Sequence, residues 1–173
     1  MTSEFSHIVK LSELGADKKS RKVTADDSER KALAKRFDLP AIHELTATYT
    51  LLAEDSTIHL TGALNARLEQ SCAISDEAFP VTIAENFEII FVPETEVPAS
   101  EEEIELAADD CDIIEYEGNN IDIGEAIAQT LYLSLDPFPR GPNADIVAEK
   151  KGLKSEEEAG PFGALAALKD KLG

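Results

Sequence analysis

The sequence predicts an α+β fold, in which a curled, mostly antiparallel β-sheet is covered by two helices and followed by a short C-terminal helix. Residues 42–69 alternate between apolar and polar side chains and are interrupted only at 54–56, which is the pattern of a β-hairpin with one buried face. Residues 123–135 carry an apolar side chain at every fourth position, as a helix packed on a sheet does. The chain has 173 residues, of which 43% are hydrophobic, enough for one core.

The first forty residues predict two short strands and one helix. Residues 5–11 alternate like a short strand, and Val23 belongs to a second one. Thr24, with Asp27 three positions later, indicates a helix N-cap and its capping-box partner. The helix is therefore predicted over 25–37, before Pro40 stops it.

The sheet is predicted to occupy residues 42–117. The hairpin supplies its first two strands, and Gly62 within the second indicates a β-bulge or a bend. A third strand is predicted over 81–92. Residues 94–110 are acidic and poor in large apolar side chains, which predicts a mobile loop, and residues 112–117 return to strand.

The covering helix follows a turn predicted at residues 118–120. Asp122, with Glu125 three residues later, is typical of an N-cap and its capping-box partner, so the helix is predicted over 123–135. Closely spaced prolines then end the helix and favour a stiff extended arm. The arm consists of Asp136, Pro137, Phe138, Pro139 and Arg140.

The arm has two interpretations. In the first it is a rigid contact segment: Phe138 stacks on or inserts into a partner, Arg140 binds a carboxylate or phosphate, and the prolines lower the entropy cost of binding. In the second it is a connection that closes the end of the sheet and places Phe138 in the core. The sequence does not decide between the two interpretations, and the arm is a candidate partner contact.

A single α+β domain is predicted over 1–145. Residues 146–173 predict a polar tether that ends in a short amphipathic helix over 161–172. A terminal helix this short either packs on its own domain or binds in the groove of a partner.

The formal net charge of −19 is unevenly distributed. Residues 1–40 hold nine Lys and Arg against seven Asp and Glu, whereas the interval from Arg67 to Arg140 holds nineteen carboxylates and no Lys or Arg between its ends. Such a surface repels the phosphates of nucleic acids and attracts basic proteins. A basic protein is therefore the expected partner.

One basic cluster is a candidate RNA contact. It lies on the helix predicted over 25–37, close to further lysines and arginines at 18–22. The alternative is a solvated helix face whose charges offset the acidic bulk. The members of the cluster are Arg30, Lys31, Lys35 and Arg36.

No catalytic residue, cofactor site or metal site is legible in the sequence. The three histidines lack a metal-binding spacing, and the chain has no phosphate-binding loop and no nucleophile elbow. A calcium loop starting at Asn119 fails because its third position is Ile121 and its twelfth is Thr130. The chain is therefore expected to act by recognition.

The two cysteines, Cys72 and Cys111, lie 39 residues apart without a CxxC pair. This spacing predicts ordinary buried or half-buried thiols in a reducing compartment. The N-terminus lacks a signal-peptide pattern and no apolar run is long enough to span a membrane, so a cytoplasmic protein is expected.

The sequence contains LSLDPFPR, preceded by IDIGEAIAQTL and, further upstream, by LTGALNARLEQSCAISDEAFPVTIAENFEIIFVP. These motifs resemble the YceD-like family of large ribosomal RNA subunit accumulation proteins, its alphaproteobacterial branch most of all. The similarity runs from about Phe37 to Asp145. It implies a non-enzymatic cytoplasmic protein needed for 23S ribosomal RNA to accumulate during biogenesis of the large subunit.

The resemblance and the charge together predict a basic ribosomal protein or assembly factor as partner, with ribosomal RNA as the second candidate. Membranes and DNA are not expected partners. Two alternative functions stay open. One is a metal-assisted, nuclease-like enzyme that acts on RNA through clustered carboxylates, and the other is an acidic adaptor unrelated to ribosomes.

Overall fold

The computed structural model describes residues 4–14, 20–94 and 112–152. These residues belong to two compact units. The first unit contains the described residues up to 70 together with 80–94 and 112–136, and the second contains 71–79 and 137–152. The predicted boundary at residue 145 stays a prediction.

The described residues form strands and three α-helices, which confirms the predicted α+β class. The strands are β1 (Ile8–Lys10), β2 (Ser20–Thr24), β3 (Ala41–Glu54), β4 (Thr57–Ser71), β5 (Ala78–Pro93), β6 (Asp112–Tyr116) and β7 (Asn120–Asp122). The α-helices are α1 (Asp27–Arg36), α2 (Ile123–Leu133) and α3 (Ala144–Lys151), and a 3-10 helix spans Leu11–Glu13. Five strands form one mostly antiparallel sheet in the order β2-β3-β4-β5-β6, while β1 pairs with β7 in a separate two-stranded sheet.

The long hairpin forms as predicted. β3 and β4 pair from Ala41 opposite Glu69 to Glu54 opposite Thr57. The apolar face of the hairpin is buried in the core of the first unit. The pairing extends over nearly the whole length of both strands because alternate residues of each have an apolar side chain to bury.

Of the β-bulge or bend predicted at Gly62, the bulge is not present at this residue in the pairing of β3 with β4. Gly62 pairs in regular register with Tyr49, and the register shift of the hairpin lies between Ile42 and Glu44 instead. A Cβ on Gly62 would stand 2.5 Å from the carbonyl oxygen of Thr48 and 2.7 Å from Cζ of Phe87. The glycine therefore makes room for an aromatic ring on the neighbouring strand.

The strand predicted over 112–117 is present as β6, and it pairs in parallel with β5. The register runs from Ile89 opposite Asp112 to Pro93 opposite Tyr116. A parallel pair requires a crossover connection, and here residues 95–111, which lie outside the described residues, link the two strands. The mobile loop predicted over 94–110 stays a prediction.

The predicted N-cap of α1 is wrong by two residues. Asp26 caps the helix: its carboxylate accepts the N–H of Glu29 (2.9 Å), and the carboxylate of Glu29 accepts the N–H of Asp26 (2.7 Å). Thr24 cannot cap because it pairs with Thr46 as the last residue of β2, and this pairing keeps its backbone extended. The helix accordingly begins at Asp27.

The N-terminal segment is anchored at the start of α2. β1 is shorter than the predicted strand and pairs antiparallel with β7, from Ile8 opposite Asp122 to Lys10 opposite Asn120. The turn predicted at 118–120 therefore ends one residue early, because Asn120 already belongs to β7. Phe5, which precedes β1, is fully buried.

Asp122 is the N-cap of α2, as predicted. Its carboxylate accepts the N–H of Glu125 (3.2 Å), and also the N–H of His7 (2.9 Å) and the hydroxyl of Ser6 (2.7 Å). The apolar stripe of α2 is buried, since Ile123, Ile127 and Leu131 are all 0% exposed. One carboxylate thus fixes both the start of the helix and the N-terminal segment.

The second unit joins residues 71–79 to the segment after Asp136. The N–H of Ala73 donates to the carbonyl of Pro139 (2.8 Å), and the ammonium of Lys151 donates to the carbonyl of Ile74 (2.8 Å). Residues 146–151, which lie within the predicted tether, are helical and belong to α3. The remainder of the tether from 153 on, and the predicted C-terminal helix, lie outside the described residues.

Candidate protein-binding surface

The strand order places opposite charges at opposite edges of the five-stranded sheet. β2 carries Arg21 and Lys22 and no carboxylate, whereas β5 and β6 carry four carboxylates and no Lys or Arg. β2 and β6 are the two outer strands of this sheet. The uneven charge of the sequence is therefore also a separation in space.

The acidic edge, as we call it, consists of the two carboxylates of β6 and the two that directly follow β5 and β6. Pro93 pairs with Tyr116, which brings Glu94 and Glu117 together at the ends of β5 and β6. All members of the edge are exposed, and none has an ion-pair or hydrogen-bond partner among the described residues. The acidic edge consists of Glu94, Asp112, Glu115 and Glu117.

A groove of about 270 Å³ runs beside the acidic edge, lined mainly by residues of β6, β7 and α2, with Phe91 of β5. Its apolar lining includes the buried Phe91, Ile121 and Ala126 and the half-buried Ile114 and Tyr116. Its carboxylates come from Glu115, Glu117, Asp122 and Glu125, and none of the described Lys and Arg residues lines it. The groove thus combines an apolar lining with negative charge.

Two of the four groove carboxylates serve the fold. Asp122 caps α2, and Glu125 accepts two hydrogen bonds from the guanidinium of Arg36, at 2.8 and 2.7 Å. This hydrogen bonding to Glu125 raises the pKa of Arg36 above its ordinary value. Glu115 and Glu117 are the carboxylates left to meet a partner.

A family model described as "Large ribosomal RNA subunit accumulation protein YceD" matches residues 60–169, more than half of the chain. The chain belongs to the YceD family. The match confirms the resemblance read from the motifs and places the chain in a family named for the accumulation of large-subunit ribosomal RNA. No curated protein and no solved structure shows significant similarity to it.

In this YceD-family chain, the predicted RNA-contact cluster lies on α1, and two of its members are engaged within the first unit. Arg30 donates to the carbonyl of Ala25 (2.6 Å) and pairs with Asp27. Arg36 is held by Glu125 and also donates to a carboxylate oxygen of Glu4 (3.1 Å). These two guanidinium groups therefore already have carboxylate partners.

The other two members of the cluster extend further into solvent. The side chain of Lys31 is 81% exposed, with its ammonium 4.0 Å from a carboxylate oxygen of Asp27, and Lys35 is exposed. An exposed ion pair at this distance contributes little to the stability of the fold. Contact of the cluster with RNA stays a prediction, and Lys31 and Lys35 are the residues best placed for it.

The arm predicted from Asp136 to Arg140 exposes its aromatic ring to solvent. Phe138 is 76% exposed, so the interpretation that buried this ring in the core is wrong. A guanidinium nitrogen of Arg140 lies 2.6 Å from a carboxylate oxygen of Asp145. Arg140 thus binds a carboxylate of its own unit, and a partner role for Phe138 stays a prediction.

A second groove, of about 320 Å³, lies where the end of α1 meets the end of α2. Tyr132 is 55% and Leu133 72% exposed beside it, and the rings of Phe37 and Tyr132 are 5.2 Å apart. This groove was not predicted from the sequence. It could have been predicted from Tyr132 and Leu133, two large apolar side chains that lie outside the buried stripe of α2.

Cys72 is buried, at 1% exposure, as predicted for an ordinary small side chain. Hydrogen bonding from Ser75 lowers the pKa of the Cys72 thiol to about 7, and the backbone of Gly141 contributes to the same effect. Cys111 lies outside the described residues. The expectation for that cysteine stays a prediction.

The histidines and carboxylates of the described ranges form no group of three or more that could hold a metal ion. Nε2 of His43 lies 2.9 Å from a carboxylate oxygen of Glu69, and Nε2 of His59 lies 3.7 Å from a carboxylate oxygen of Glu54. Both pairs are on the polar side of the hairpin. Among the helices of the described part, none is long and apolar enough to cross a membrane.

Proposed function

We propose that this YceD-family chain supports the accumulation of large-subunit ribosomal RNA as a non-enzymatic factor whose acidic edge binds a basic protein. The partner is a ribosomal protein or an assembly factor of the large subunit. The observation that carries the proposal is the acidic edge itself: four exposed carboxylates without partners among the described residues, at the sheet edge opposite β2.

The physical basis is electrostatic complementarity. Each exposed ion pair contributes only about 0.2–1 kcal/mol, so the affinity must come from several pairs together with apolar contact. The surrounding negative field increases the rate of encounter with a cationic partner and suppresses encounter with RNA phosphates. Binding should therefore be fast and should weaken as salt is added.

The net charge of the edge can be cancelled without changing a residue that serves the fold. The test variant is Glu115→Lys with Glu117→Lys. The matched control is Glu13→Lys with Glu149→Lys, which changes the net charge by the same amount at two exposed positions that belong neither to the acidic edge nor to the lining of the groove. A difference between the two variants reports the location of the charge and not its total.

The experiment is crosslinking in growing cells, followed by identification of both the proteins and the RNA captured. We expect a basic large-subunit protein to be captured by the wild-type chain and by the control variant, and to be lost from the edge variant. Capture of RNA alone, with no basic protein, would contradict the proposal. Normal levels of the large subunit in cells lacking the gene would contradict its ribosomal part.

A further inference from the structure

β6 is an outer strand of its sheet. Among the described residues it pairs only with β5. In such a strand about half of the backbone N–H and C=O groups point away from the sheet. An extended peptide that pairs with these groups would continue the sheet by one strand.

The space beside this edge is a groove with apolar surface. The groove between β6 and α2 exposes parts of Ile114 and Tyr116 from the edge strand itself and reaches the buried Ala126 of α2. The unpaired backbone groups of β6 favour an extended chain over a helix as the occupant, because the backbone N–H and C=O groups of a helix are already hydrogen-bonded within the helix.

The charge of the groove selects the composition of that chain. Glu115 and Glu117 line it without a partner among the described residues, and Glu94 lies next to Glu117. No Lys or Arg from the described ranges contributes to the lining. Side chains of a strand alternate between two sides. A peptide with basic residues on one side and apolar residues on the other therefore matches both the carboxylates and the apolar surface.

We propose that the groove between β6 and α2 binds an extended basic peptide segment of the partner, which adds a strand to the outer edge of β6, where no described residue pairs. This inference rests on the proposed function and specifies how the basic partner is held. Backbone pairing provides the binding geometry, while Glu115 and Glu117 select for positive charge.

The first measurement uses a synthetic eight-residue probe of alternating basic residues and valine, labelled and titrated with the full chain by fluorescence anisotropy. We expect the Glu115→Lys, Glu117→Lys variant to bind it about tenfold more weakly, because attraction at two positions becomes repulsion. The Glu13→Lys, Glu149→Lys control should change the affinity by less than about threefold. Equal weakening in both variants would overturn the proposal, because the probe would then respond only to net charge.

The second measurement distinguishes strand addition from other modes of binding. Two versions of the probe are N-methylated on alternate residues, one on the odd positions and one on the even positions. In an added strand only one of these sets donates its N–H groups to β6. We expect one version to lose binding by more than about tenfold and the other to bind within about threefold of the parent. Equal affinities of the two versions would overturn the proposal.

These outcomes are separable from failure of the proposed function. If the basic protein captured in cells is lost from the edge variant, yet both methylated probes bind alike, the function stands and the strand mode is rejected. If the probes follow the strand pattern but cells yield no basic partner, the binding mode stands and the function is rejected. A dimer of this chain that the probe dissociates would also reject the proposal, because the natural occupant of the edge would be a second copy.

Discussion

The contact between the N-terminal segment and α2 can be tested by replacing Gly124 with alanine. An added Cβ would stand 2.4 Å from the carbonyl oxygen of Phe5 and 2.8 Å from the backbone nitrogen of His7. Both distances are well inside normal van der Waals contact, and neither backbone atom can rotate away as a side chain can. Either the N-terminal segment or the first turn of α2 must therefore move.

The magnitude follows from opposing contributions. Alanine is favoured over glycine within a helix by up to about 1 kcal/mol. Overpacking costs about 1–3 kcal/mol when the neighbours are rigid, and displacement of the segment would expose Phe5, whose burial contributes about 1.5–3 kcal/mol. We expect Gly124→Ala to lower the free energy of unfolding by about 2 kcal/mol.

The assay is urea unfolding of the wild type, Gly124→Ala, Phe5→Ala and the double variant. If Gly124→Ala displaces the segment, Phe5→Ala should cost much less in its background than alone, because the ring is already exposed. Comparison of Gln129→Ala with Gln129→Gly calibrates helix propensity at an exposed position of α2. A Gly124→Ala protein at least as stable as the wild type would refute the reasoning.

Three further predictions concern single groups. Asp122→Ala should lower the free energy of unfolding by about 1–2 kcal/mol, because it removes the N-cap of α2 and the anchor of the N-terminal segment, whereas Asp122→Asn should retain most of the stability in the same unfolding assay. A double-mutant cycle of Arg36→Ala and Glu125→Ala should give a coupling of about 1 kcal/mol that shrinks in high salt; coupling insensitive to salt would contradict the ion-pair account. The pKa of Cys72, about 7 in the folded chain against an ordinary 9.0, means that the folded state holds fewer protons between these values. Stability relative to Cys72→Ser, measured in a Cys111→Ser background, should therefore rise from pH 7 to 9 and be lost as the pH falls through 7; a flat difference would contradict it.

The long elements were predictable from the sequence because their periodicity is unambiguous. Apolar side chains recur at every second residue in β3, β4 and β5 and at every fourth residue in α2, and each period determines which face is buried. The direction of strand pairing has no such signal, so β6 was predicted as a strand without its parallel partner β5. β7, with three residues, is too short for its alternation to show.

The first residue of α1 could not be predicted exactly, because two neighbouring residues compete for the N-cap position. Thr24 and Asp26 are both good N-cap residues, and the pairing of Thr24 with β3 decides between them. α3 buries only Ala144, so it lacks an apolar stripe that could have been recognised. At the candidate site the excess of carboxylates was predictable from composition, whereas the groove depends on β6 and α2 lying side by side.

The pairing of β1 with β7 determines when this fold can be completed. His7 and the carboxylate that accepts its N–H are 115 residues apart in the chain, and such distant contacts form late because loop closure must precede them. During synthesis the N-terminal residues leave the ribosome long before α2 exists, so Phe5 stays uncovered until that helix emerges. Docking of the N-terminus is accordingly a late step of folding, and a nascent chain that ends before residue 120 cannot complete it.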